Sequence, residues 1–85
     1  MEINLAPFGM AAVSNSSQVA ETGYDAASRR LAVRFKSGGV YLYDNVPPDM
    51  VAKMGKADSV GKFLAAHIKG KYKHTQVKDK PDGKR

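Results

Sequence analysis

No cysteine occurs among the 85 residues of the chain, so neither a disulfide nor a thiolate metal site can hold the fold together. A chain of that length sits near the lower limit for a single unassisted hydrophobic core, so one domain at most is expected. The missing cysteine also fits a reducing compartment. No apolar run approaches the roughly 20 residues that span a bilayer. The opening "MEINLAPFGMAAV" is mildly apolar but has Glu2 where a secretory leader would be basic. These absences together lead to the expectation of a soluble, cytoplasmic protein without a membrane segment. Aromatic residues are also scarce, at 8%, so few can be left on display if a core is to be filled.

Acidic residues are scarce in one region only. From Lys69 to Arg85 there are seven basic side chains against Asp79 and Asp82, a balance of +5 within a net charge of +6. Residues 1–68 are therefore nearly neutral, and the basicity belongs to the C-terminal segment. Such a segment attracts phosphate backbones or anionic surfaces, or simply keeps the chain soluble.

The pattern along the chain predicts an α+β domain with a three-stranded antiparallel meander followed by two helices packed on one face. Residues 1–13, with Pro7 and Gly9, show no clean period and read as a loose arm. "VSNSS" is a polar turn, and "QVAETGY" has strand character in which Gly23 marks a bulge or a close backbone approach. In "RRLAVRFK", Leu31, Val33 and Phe35 alternate with Ala32, Arg34 and Lys36, the period of a half-buried strand. "SGG" supplies a hairpin turn and "VYLYDNV" the return strand. Either Tyr41 and Tyr43 or Val40 and Leu42 face the core, with the tyrosine side preferred. The alternative is an exposed Tyr41/Tyr43 platform that stacks on bases.

"NVPPDMVAKMG" predicts a short helix that Pro48 and Asp49 open and Gly55 ends, with Met50, Val51 and Met54 as its core stripe. In "ADSVGKFLAAHIKGKY" the residues Val60, Phe63, Leu64, His67 and Ile68 form one apolar helix face. Ser59 is the N-cap and Gly70 the exit. Gly61 inside that helix costs roughly 0.5–1 kcal/mol relative to alanine, so either another backbone packs against it or a ligand does. Residues 73–85 have no period and read as a flexible basic tail, which leaves 14–72 as the domain.

The assembled pattern is SS-x-V, GYD, L-x-V-x-F-x-x-G-x-x-Y-x-Y, VP before the first helix, then A-x-S-x-G-x-F and IKGKY. It resembles the KTSC domain, a module named for its occurrence at the C-terminus of some lysyl-tRNA synthetases, and the resemblance runs from about Val13 to Tyr72. The family commonly has a second aromatic or an asparagine after the Phe63 position, where this chain has Leu64 and Ala65. Gly55 and Lys56 replace a more apolar helix end. The resemblance brings no catalytic residues to carry over. Free-standing members look like small phage or bacterial proteins, and the fusion to a tRNA-handling enzyme implies RNA or DNA binding.

The residues themselves argue against an enzyme. His67 lies on the inner helix face or its rim and His74 in the tail, while Asp25, Asp44, Asp49 and Asp58 are scattered through turns and termini. Neither a phosphate-cradling glycine loop nor a paired carboxylate motif is present. No catalytic residue, metal site or cofactor is therefore expected. The leading expectation is a nucleic-acid-binding module. Ser59, Gly61 and Lys62 would meet a phosphate at the second helix N-terminus, Lys69, Lys71 and Lys73 would track its neighbours, and Tyr41, Tyr43 and Tyr72 could stack on bases. The alternative is a protein-interaction module, such as a phage-encoded accessory protein or an inhibitor of a host factor, acting as a monomer or weak homodimer.

Overall fold

A computed structural model describes residues 2–3, 5–14 and 16–79. Strand β1 (Glu2–Ile3) is followed by a 3-10 turn (Ala6–Phe8), β2 (Ala11–Ala12), β3 (Val19–Asp25), β4 (Arg30–Phe35) and β5 (Val40–Tyr43). Helix α1 (Pro48–Gly55) comes next. Helix α2 (Val60–Phe63) runs straight into a π-helical segment (Leu64–Ile68), and β6 (His74–Asp79) closes the described chain. The sheet order is β1-β6-β5-β4-β3-β2. Strands β2 to β6 pair antiparallel, and β1 adds to the β6 edge in parallel.

The meander from β3 to β5 falls where the alternation and turn residues predict it. Asp25 builds the first turn by accepting the Ala27 amide at 3.1 Å and the Ser28 hydroxyl at 3.1 Å. Gly38, at φ +105, makes the hairpin turn, and Phe35 N–H donates to Gly39 O at 2.8 Å. Pro47 is the N-cap of α1 without a side-chain bond, and Pro48 occupies its first turn, where its missing N–H costs nothing. That helix ends on Gly55 without a positive φ, so Gly55 does not act there as a left-handed terminator.

Two expectations need correction. The sheet has more than three strands, because six residues assigned to a flexible tail form β6. Thr75 and Val77 are β-branched and alternate with polar neighbours. Pairing His74 with Tyr43 and Val77 with Val40 satisfies the open edge of β5 and buries Val77. Residues 80–85, the rest of that segment, lie outside the described residues. The N-terminal arm is likewise not loose: Leu5 and Phe8 are buried on the sheet.

The arm also resolves which face of β5 is inside, because both are. On one face Val19, Leu31, Val33 and Tyr43 pack with Val46, Met54, Val60, Leu64 and Ile68 from the helical half. On the other, Ala32, Val40, Leu42 and Val77 pack under Leu5 and Phe8. Gly23 is the point at which the arm crosses β3. A Cβ there would meet Phe8 O at 2.6 Å and Met10 Sδ at 2.6 Å, so of the two sequence readings of Gly23 the close approach applies. The irregular register lies elsewhere in the strand, between Val19 and Glu21.

Gly23→Ala should lower stability by about 1–3 kcal/mol through overpacking against backbone that cannot swing away. Gly55→Ala, which meets nothing within 4 Å, should raise it by about 0.4–1 kcal/mol. Urea midpoints of the two variants test the pair, and equal effects would contradict the docked arm.

Candidate functional site

The second helix begins as its sequence predicts. Ser59 Oγ accepts the Lys62 amide at 3.3 Å, and Phe63 N–H donates to Ser59 O at 3.0 Å. The anomaly of Gly61 has a cause in the chain itself, a side chain and not the expected backbone or ligand: a Cβ there would stand 2.7 Å from Ser16 Oγ. That hydroxyl is already placed, accepting the Gln18 and Val19 amides at 3.2 and 3.1 Å as β3 starts. Ser16 is buried and locks the head of β3 onto the helix. Ser59, Gly61 and Lys62 line a polar groove of about 300 Å³ with Ser16, Ser17 and Gln18.

Beyond Phe63 the helix widens. Lys69 N–H bonds to Leu64 O at 2.7 Å, an i→i−5 closure of the kind that recurs at functional sites. The widened turn keeps Val60, Leu64 and Ile68, four residues apart, on the buried line. It carries His67 off that line, so His67 is exposed, with its ring 4.7 Å from that of Phe63. The helix then exits through Gly70 at φ +78, a conformation that favours glycine.

That exit sets Lys69 Nζ 5.1 Å above the Phe35 ring, within cation–π range. Phe35 meets Tyr41 edge-on, with centroids 5.5 Å apart and planes at 82°. His74, opposite Tyr43 across the β5–β6 ladder, lies 5.6 Å from Tyr41 and 5.7 Å from Tyr43. Together with Ser37 and Gly70 these side chains line an open pocket of about 350 Å³. Burial, and secondarily the neighbouring Tyr41, holds the Tyr43 hydroxyl above the ordinary tyrosine value of 10.0.

The nine candidate residues thus fall into groups. Tyr41, Tyr43 and Lys69 meet in the aromatic pocket, while Ser59, Gly61 and Lys62 sit at the other end of the helix. Tyr72 packs against the helix-side core instead of joining the pocket. Lys71 and Lys73 are exposed beside the helix exit. Sequence reasoning missed Phe35, taken only as a core residue, and His74, placed in a tail. The alternation of Thr75 and Val77 was the available signal for His74, and it is weak. Among the described residues no three His, Cys, Asp or Glu gather into a metal site, and no helix is long and apolar enough to cross a membrane.

A largely antiparallel sheet covered by two helices on one face and an N-terminal arm on the other defines a small α+β module. The chain belongs to the KTSC domain family, which matches residues 15–72. A KTSC domain protein of Yersinia pestis shares the fold, with TM-score 0.78 and 33% identity over 82% of this chain and 97% of that one. A protein of Tsukamurella paurometabola is 38% identical over 58 residues, covering 68% of this chain and 87% of the relative. A lysine–tRNA ligase of Nostoc punctiforme is 34% identical over 61 residues, which make up 72% of this chain but only 11% of the ligase.

Gly61→Ala should cost about 1–3 kcal/mol in the presence of Ser16. In a Ser16→Ala background the added cost should shrink, giving a coupling energy of about 0.5–3 kcal/mol in a denaturant double-mutant cycle. A coupling of zero would separate the two residues.

Alkaline titration tests Tyr43. Its proton is held more tightly in the folded than in the unfolded chain, so its stabilising contribution is complete below the unfolded value and is lost as pH rises through the folded one. The wild type should therefore lose stability more steeply above pH 10.0 than Tyr43→Phe. Parallel curves would contradict the assignment.

Proposed function

We propose that this chain is a non-enzymatic nucleic-acid-binding module whose contact surface is the pocket of Phe35, Tyr41, Tyr43, Lys69 and His74. The observation that supports the reading most is the meeting of several ring faces and edges with a lysine ammonium in one open pocket. None of its described lining residues is acidic. Aromatic rings offer every base a stacking surface, and a nearby ammonium meets the phosphate that accompanies it. Lys71 and Lys73, exposed at the helix exit, extend the positive field. Two relatives named as lysine–tRNA ligases carry a similar segment, and a ligase of that name acts on an RNA.

One observation favours the other reading, a protein-interaction module. The rings of half-buried Phe63 and exposed His67 meet at 4.7 Å, tilted by 40°, and line an open groove of about 500 Å³. Charge supports the first surface: the groove pairs Lys62 with Asp58, whereas the aromatic pocket has Lys69 without a carboxylate among its described lining residues.

Tyr41→Ala should weaken binding of a single-stranded oligonucleotide at low salt by about 1–3 kcal/mol, the range for one base–aromatic stack. Tyr41 is only half-buried, so circular dichroism should show the fold retained. The chain has four tyrosines and no tryptophan, so quenching of tyrosine fluorescence reports binding directly. Unchanged affinity in Tyr41→Ala would remove the pocket from the site. If the wild-type chain binds no oligonucleotide even at low salt, the nucleic-acid reading fails.

A further inference from the structure

The two candidate groups, at opposite ends of the second helix, are joined by a third depression. The polar groove at the helix start and the depression over Lys36 share Ser17 and Gln18, and that depression shares Phe35 and Ser37 with the aromatic pocket. Gly61 and Ala65 of the second helix line the first part of this path, and Lys69, just past the helix end, lines the last. The opposite wall is the head of β3 and the β4–β5 hairpin. The small side chain of Ala65 leaves room on the helix side, while the space beside Gly61 is taken by Ser16 Oγ. Lys62, Lys36 and Lys69 stand along the path in that order, and none of the described residues lining its three parts is acidic.

Resting on the nucleic-acid reading above, we propose that this continuous groove is the track for one base-stacked single polynucleotide strand. An unpaired base enters the aromatic pocket, and the phosphates pass Lys36 toward Lys62. The stretch from Gly61 to Lys69 spans at most about 12 Å, the α-helical rise of 1.5 Å per residue, because its second half is π-helical; that length matches roughly three to four nucleotides at the 3.4 Å spacing of a stacked strand. A duplex cannot occupy the same path, because its bases are paired and stacked and offer the pocket no free face. Lys62, at the end of the path away from the rings, meets the far end of a strand that the pocket anchors.

The test is a length series of fluorescein-labelled oligothymidylates and oligouridylates, from about one to eight nucleotides, titrated into the full-length chain by anisotropy at several salt concentrations. Affinity should climb with length and level off at roughly four nucleotides, and a matched duplex should bind at least about tenfold more weakly. For an oligomer of about six nucleotides, Lys62→Ala should lower the slope of log affinity against log salt by about 0.7, the value for one single-strand phosphate contact. The loss should be larger for that oligomer than for a dinucleotide. Lys53→Ala, on the exposed side of α1, serves as the charge control and should leave the slope unchanged. A plateau at one or two nucleotides, equal binding of duplex, or an unaltered slope in Lys62→Ala would overturn the track while leaving the pocket reading intact. No binding by any oligomer of either sugar would overturn both. The two sugar series also show whether ribose or deoxyribose strands are preferred.

Discussion

Everything else in this fold depends on burying strand β4 from both sides. Leu31 and Val33 point one way and Ala32 the other, and all three are buried. One sheet face can be covered by the helical half of the chain, but the second face needs its own cover. An 85-residue chain has little to spare for it, so the N-terminal arm supplies it with Leu5 and Phe8. The molecule thus becomes three layers thick with very little material, a demanding arrangement because so small a domain buries a modest share of its surface.

Thin layers must approach closely, and each closure has a glycine at its tightest point. Gly23 admits the arm across β3, where any Cβ would strike the Phe8 carbonyl. Gly61 admits Ser16, which ties the head of β3 to the helix. Both glycines are therefore packing devices on opposite faces of the same strand system. At Gly61 the close neighbour is the Ser16 side chain, which takes up the space that a Cβ would need.

What could be read from the amino-acid pattern follows from the range of the forces involved. The β3–β5 meander, the Ser59 cap and the Gly70 exit rest on local spacing and turn chemistry, and all are where the pattern places them. The KTSC resemblance covered the same stretch and holds over residues 15–72. The arm and β6 were not legible as structure, because Leu5, Phe8 and Val77 acquire their burial only from partners distant in sequence. Gly61 was recognisable as an anomaly, yet nothing near it in the chain points to Ser16. His67 was misplaced for a different reason: its seven-residue spacing from Val60 belongs to an α-helix, and the chain there is π-helical. As for the candidate site, Tyr41, Tyr43 and Lys69 were each identified, but their meeting was not, since it needs both the sheet register and the widened helix.

That widening is the step that turns a packing motif into a candidate site. A π turn adds a residue to the closure between Leu64 and Lys69, and so shifts everything after it around the helix axis. Ile68 stays buried against the sheet, while Lys69, the next residue, swings over the Phe35 ring. Gly70 then reverses the backbone at a positive φ, and the chain returns to lay His74 beside Tyr41 and Tyr43. A regular α-helical turn would close one residue earlier and rotate Lys69 away from this position. The departure from α-helical geometry, combined with the left-handed exit, therefore brings cation and rings into one pocket. Irregular backbone of this sort persists where the surrounding packing holds it in place, and here the burial of Leu64 and Ile68 on either side does so.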